Sequence, residues 1–530
     1  MKKTIFAIAV AAALGVTACT KTDFKNAYPD PSKVNSTTVA KQFSGFLNSN
    51  IGYVVPSYWN YFVVLRITLD PYTQATGFAN AANQYIPGAS ATSNYWDSYY
   101  NFLAQYRELQ KVNAQLSAAS QAANRIYMVA ATIFLYDETQ KMVDLYGDIP
   151  FSEAGMLSTD GGNYSATYAK YDKAEDVYTK MLDDLKGYST ELNTITLDAG
   201  TQATFKNQDL IYKGSVTGWA KYCNSLRLRL LTRVSGVSSF QARAKSEMAD
   251  IVGNPASSPV ITSNNDNAQI SVYTLGTGID ASGFQSGLED WNGNLAGKAM
   301  IDHMNANADP RLRVLFRAGD SAKGAYIGLD PTLDASTQNT LISNSSTLAI
   351  YNRATTSRNK YFPGVLMNAA EVSYLVAEYN LGAGNDAAAK TAYEAGIQQS
   401  IAYYYALRAL SADNTDSIAG AKTPSSAEIT AYLASPGVSW SAATSAAAKL
   451  KLIATQKWLH FNVVQPYESW SETRRLDAPS FNFWTDNSSI QKLPPHRWLY
   501  PTSENTYNTK NYQAVQANDK LDTKIFWDLQ

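Results

Sequence analysis

The chain has 530 residues, 45% of them apolar and 17% charged, with a formal net charge of −1 at pH 7. That length and apolar content exclude a small disulfide-stapled module, a disordered chain and a collagen-like fibre. The near-zero charge excludes the basic footprint of a nucleic-acid binder, and 35 Tyr, 18 Phe and 10 Trp in place of charge suit neutral, hydroxyl-bearing ligands.

In chain order, Lys2 and Lys3 precede an apolar run from Ile5 to Val16, which reads as an export signal. The run is too short to span a bilayer, which takes about 20 apolar residues. It ends in Val16-Thr17-Ala18-Cys19, similar to a bacterial lipobox in which Cys19 becomes the lipidated mature N-terminus. Acyl chains then hold the protein to a membrane without a transmembrane helix. With Cys19 lipidated, Cys223 is the one remaining cysteine, and no intrachain disulfide forms. The polar, Pro-containing stretch up to Thr38 reads as a flexible tether.

Beyond it, helical periodicity dominates. A helix opens at Trp96 with Ser93 or Asn94 as N-cap. Another runs from Ile126 past Met142 and stops at Gly147 and Pro150. Stripes at three-to-four spacing follow at Tyr171–Leu185 and at Trp219, Cys223, Leu226 and Leu230, which puts the thiol in the core. Met367 to Leu407 predicts two helices joined at Gly382-Ala383-Gly384-Asn385-Asp386, the size of one tetratricopeptide-like hairpin, with small residues allowing close approach. Ser441 to His460 predicts a further helix, and Ala268 to Leu275 is the best strand. The expected fold is mainly α: tetratricopeptide-like hairpins with long loop insertions and little β.

Catalytic signals are weak. Gly276-Thr277-Gly278 mimics a dinucleotide fingerprint but lacks a good helix after it and a βαβ context. Three scattered histidines (His303, His460, His496) offer neither zinc spacing nor a triad, so no cofactor and no metal is expected. Glu468 and Glu472 lie four apart and could share a helix face, whereas a glycosidase needs two carboxylates at a set separation across a cleft. With Arg474 and Arg475 beside them, they read first as structural ion pairs.

Binding signals are stronger. Trp59, Tyr61 and Tyr72 lie in a segment rich in Pro, Gly, Asn and Gln, and Trp291 lies among Asp290, Asn292 and Asn294. Sugar recognition needs flat aromatic faces against pyranose C–H groups, with amides and carboxylates on the hydroxyls, and loops supply both. Trp59, Tyr61, Tyr72, Asp290, Trp291 and Asn294 are the expected ligand contacts. Trp96, in a scaffold-like stretch, is not among them.

Six stretches, in order, resemble the SusD/RagB family of nutrient-binding outer-membrane lipoproteins: YGDIPFSEA from Tyr146, GWAKYCNSLRLRLLTR from Gly218, DPRL from Asp309, LMNAAEVSYLVAEYNLGAG from Leu366, ESWSETRRLDAP from Glu468 and PPHRWLYPTSEN from Pro494. With the signal peptide over residues 1–18 and lipidated Cys19 and tether over 19–38, the resemblance implies one nutrient-binding domain over 39–530. It also implies a partner, a SusC-like TonB-dependent outer-membrane transporter. Over this barrel the lipoprotein acts as a hinged lid on the cell exterior, capturing an oligosaccharide or a peptide, without enzymatic activity. It marks Tyr146, Asp148, Pro150, Arg311 and Arg475 as scaffold and leaves the ligand contacts to variable loops. A lipid-anchored surface glycosidase is the alternative from another class.

Overall fold

The computed structural model describes residues 37–164, 167–343, 346–416 and 423–530. The export signal, Cys19 and the tether as far as residue 36 lie outside the described residues. The Thr38 side chain accepts the Lys41 N–H and so caps α1 (Val39–Ser49), whose Phe43, Phe46 and Leu47 enter the core. Phe46 stacks on Phe102 of α2 (Ala89–Ala114) at 4.4 Å. α2 starts several residues before Trp96, because Ser93 and Asn94 turn back onto the carbonyls of Ala89 and Ser90 instead of capping. α3 (Arg125–Tyr146) is buried almost throughout and stops at Gly147, which takes the left-handed φ of 80° that side chains resist. The chain then forms β1 (Ile149–Pro150), antiparallel to β2 (Tyr171–Asp172). Asp148 accepts the N–H of Ala174 at 2.9 Å and an ion pair from Lys173, fixing the start of α4 (Ala174–Leu192).

α5 (Val216–Val234) packs on α4 and carries Cys223 at 0% exposure. The thiol donates to the Leu185 carbonyl at 3.3 Å, and burial pushes it up to about 12, so it stays protonated. The expected strand shortens to β3 (Ala268–Ile270). A short helix, α6 (Phe284–Glu289), follows, then the ladder of β4 (Phe316–Arg317) with β5 (Ile350–Tyr351). β6 (Gly364–Met367) pairs antiparallel with β3 across a bulge. The predicted hairpin is present as α7 (Ala369–Gly382) and α8 (Asp386–Leu410), turning at Gly384 with φ 79°. Its close contact is made by Ala389 and by Gly396, where a Cβ would overlap the Tyr374 ring. α9 (Ala446–Phe461) packs on α7 and leads into α10 (Pro466–Leu476); α11 (Thr502–Tyr507) lies near the C-terminus.

A buried ionic spine ties these helices together. Arg229 of α5 donates to Glu371 at 2.6 Å and to Asp137 at 3.0 Å; Arg233, one turn on, meets Glu468 at 2.6 Å, Glu472 at 3.1 Å and Asp144. Lys457 and Arg475 both bridge Glu378 and Glu472. Arg311 pairs with Asp309 at 2.6 Å and also reaches Tyr432, Gln456 and Ser400. Removing one partner of such a buried pair typically costs about 3–5 kcal/mol. Glu468 and Glu472 are therefore structural ion-pair partners. The fold is mainly α, and no described helix is long and apolar enough to cross a membrane.

Candidate ligand-binding site

The segment after α1 does not loop. Trp59–Val64 forms a π-helical turn, followed by a 3₁₀ turn (Leu65–Ile67) and a single α turn (Leu69–Tyr72). π-turns are rare and gather at functional sites. This one places Trp59 outward, 59% exposed, and Tyr61 inward, 4% exposed. Tyr58 stacks on Phe62 at 4.9 Å, and the Arg66 guanidinium lies 4.4 Å from the centre of the Phe62 ring.

α6 docks on this turn because its inner face is glycine. A Cβ on Gly283 would sit 2.9 Å from the Tyr58 nitrogen, and one on Gly287 would sit 3.0 Å from both the Ser57 carbonyl and the Tyr61 Cβ. Beyond α6 the chain turns at Asp290–Asn292, and Gly293 presses against the Arg66 side chain. Trp291 and Asn292 both hold left-handed backbone, with φ of 57° and 58°. For a Trp this conformation costs about 1–2 kcal/mol. The strained Trp is nevertheless 81% exposed, and its ring lies over Arg66 at 5.9 Å. Segments far apart in sequence thus form one surface: Trp59, Tyr58, Phe62, Arg66, Trp291 and the exposed carboxylate of Asp290.

Arg66 is the distinctive member. Its guanidinium is held by two aromatic faces and makes no hydrogen bond or ion pair among the described residues. Partial burial lowers its pKa, against the opposing pull of Tyr58 and Asp290. It remains a cation with unpaired donors beside a carboxylate and an exposed indole, a set that hydroxyls and C–H faces of a sugar can occupy together.

The other expected contacts are placed elsewhere. Tyr61 donates to the Val463 carbonyl at 2.7 Å and packs on Phe284 at 4.4 Å, so it supports the surface from below. Tyr72 is 2% exposed between Tyr85 and Trp470. The cavity beside it holds about 20 Å³, room for one water. Asn294 is 8% exposed, and its carbonyl takes the Tyr351 N–H. These three are withdrawn from the surface because the short turns carrying them pack against the helical core. Sequence reading passed over Phe62 and Arg66, although Tyr58, Phe62 and Arg66 at intervals of four mark one helical face.

His460 is fully buried, bonded to Ser400 at 2.9 Å and Asn368 at 2.8 Å, and burial lowers it to about 3, so it is neutral. Among the described residues no group of three or more His, Cys, Asp or Glu is placed to hold a metal.

The sequence profile of a family described as "Starch-binding associating with outer membrane" matches residues 41–501. The chain belongs to the SusD-like family. No curated protein matches the sequence. Among solved structures, a chitin-binding SusD homologue from Flavobacterium johnsoniae is 24% identical, with a TM-score of 0.71 over 93% of this chain and 99% of that one. A SusD homologue from Bacteroides fragilis is 20% identical, with a TM-score of 0.72 over 93% and 100%. One from Bacteroides uniformis is 22% identical, with a TM-score of 0.67 over 93% and 100%. These SusD-like structures share the helical fold, and the family links the chain to glycan binding and the outer membrane in nutrient uptake.

Proposed function

We propose that this SusD-like protein captures oligosaccharides on the Trp59–Arg66–Trp291 surface, with Asp290 and Arg66 taking hydroxyls and the two indoles taking sugar faces. The observation that carries the reading is Trp291: an 81% exposed indole in left-handed backbone, leaning over a guanidinium that makes no hydrogen bond or ion pair among the described residues. Strain and exposure together are retained where a surface has work to do. Capture for transport must be reversible, so Kd is expected at about 1 µM to 1 mM. The protein acts without catalysis: Glu468 and Glu472, the carboxylates a glycosidase reading would need, are sealed in ion pairs. Family membership supports the rest of the reading, in which lipid on Cys19 anchors the chain to the outer membrane on the cell exterior. There it serves as the hinged lid of a SusC-like TonB-dependent transporter and hands over its cargo on closing.

The test is calorimetric titration of the chain from Thr20 onward with maltohexaose, the N-acetylglucosamine hexamer and mixed short peptides, followed by mass spectrometry of each mixture. Saturable binding of a sugar with no new products is expected. Binding of peptides alone would move the reading to peptide capture, and turnover would overturn it.

A further inference from the structure

We propose a second saccharide subsite, in the cleft between the first turns of α2, the turn after β1 and helix α11, that takes a neutral or amino-bearing sugar and excludes uronic acids. The inference rests on the capture reading but shares no residue with the Trp59–Trp291 surface. The cleft encloses about 480 Å³, within the range of small-ligand sites. Two tyrosines stand at its mouth, Tyr168 at 54% and Tyr507 at 74% exposure. Beneath them Trp96, 3% exposed and fixed edge-on against Tyr146 at 4.9 Å and Tyr500 at 5.7 Å, supports the cleft from below. Two exposed aromatic faces at the mouth of a cleft can hold a pyranose by its C–H faces.

The polar groups complete the set. Asp97 and Asn101 lie four apart on α2, so they share one helix face. Both are exposed to the cleft, and neither side chain makes a hydrogen bond within the described residues. Glu504, on α11, accepts from Tyr171 at 2.7 Å and Asn508 at 3.1 Å but makes no ion pair among the described residues. Desolvation raises the Asp97 carboxyl above its usual range. Asp97 and Glu504 are the two acidic side chains lining the cleft, and no Lys or Arg among the described residues lines it. They accept from hydroxyls and attract an ammonium over tyrosine faces, and they repel a uronate.

The experiment uses the chain from Thr20 onward, titrated with maltohexaose, the glucosamine hexamer, the N-acetylglucosamine hexamer and trigalacturonate. Three variants are compared: Tyr168→Ala/Tyr507→Ala, Asn101→Arg to fill the cleft from an exposed position, and Trp59→Ala/Trp291→Ala. Expected are two sites in the parent for a neutral or amino-bearing hexamer. One site should remain in each double variant and in Asn101→Arg, with Tm unchanged, and trigalacturonate should show no site that the cleft variants remove. Loss of all binding in the cleft variants, with the tryptophan variant unaffected, would support the cleft and overturn the Trp59–Trp291 surface instead. Cleft variants that bind like the parent, or trigalacturonate binding that Asn101→Arg removes, would overturn the subsite and leave the first surface standing. A parent silent toward every hexamer would overturn both.

Discussion

Trp291 sets stability against capture within one residue. Its left-handed backbone favours glycine, and its ring contributes little to the core because it is 81% exposed. Trp291→Gly should therefore weaken oligosaccharide binding by about tenfold. The same change should raise stability by up to about 1 kcal/mol. Trp59→Ala should weaken binding similarly at unchanged stability; calorimetry and thermal melts on the same samples check both. A second prediction concerns Asp70, in the turn beneath this surface. It is 1% exposed, its Oδ1 has no hydrogen-bond partner among the described residues, and burial raises the carboxyl to about 7. The unfolded chain ionises this group near pH 4. Between about pH 4 and 7 the folded protein thus holds a proton that the unfolded chain releases, and stability falls as pH rises, by about 1.4 kcal/mol per unit. Asp70→Asn should lack this slope, so its stability relative to the parent should climb from pH 5 to 7 and level off above. Urea unfolding at pH 5, 7 and 8 reads the difference; parallel profiles would mean the group does not titrate in this window.

At the scale of elements, glycine decides which helices can touch. Gly396 lets α8 meet the Tyr374 ring of α7, and Gly283 and Gly287 let α6 meet the π-turn. Gly396→Val should cost about 1–3 kcal/mol through overpacking, with helicity retained, since the helix itself tolerates Val. Circular dichroism with urea titration separates the two effects. The hairpin was legible because amphipathic periodicity and a Gly-Asn-Asp turn are local signals, and both lie within Met367 to Leu407. The π-turn was not legible. Pro, Gly, Asn and Gln around Tyr61 and Tyr72 read as a loop, while burial of Tyr61 against Phe284 and Val463 holds the segment helical.

For the whole molecule, the ionic spine explains why the family-like motifs are scaffold. Arg229 and Arg233 of one motif meet Glu371, Glu468 and Glu472 of two others, so these segments support one another and leave ligand contacts to the elements between. Attachment is a property of the same scale. Cys19→Ala should move the protein from the membrane to the soluble fraction while leaving sugar affinity within twofold, because the proposed surface starts at Tyr58. Cell fractionation and calorimetry test this. Retention of the variant in the membrane fraction would count against the lipid anchor and point to the transporter contact as the tie.

The sequence by itself determined the helical class, the α7–α8 hairpin, the buried Cys223 and the family resemblance, because periodicity, turn chemistry and motif order are carried by neighbouring residues. Only the tertiary structure decided which aromatics face solvent. Trp59 and Tyr61 are two residues apart in the same polar-aromatic stretch, yet one is 59% exposed and the other 4%. The direction of each side chain depends on how the π-turn packs against α6, and that contact depends on glycines more than two hundred residues away. Arg66 acquires its place between Phe62 and Trp291 in the same way. A site assembled by long-range packing is encoded in every part of the chain, but it can be read only once those parts have met.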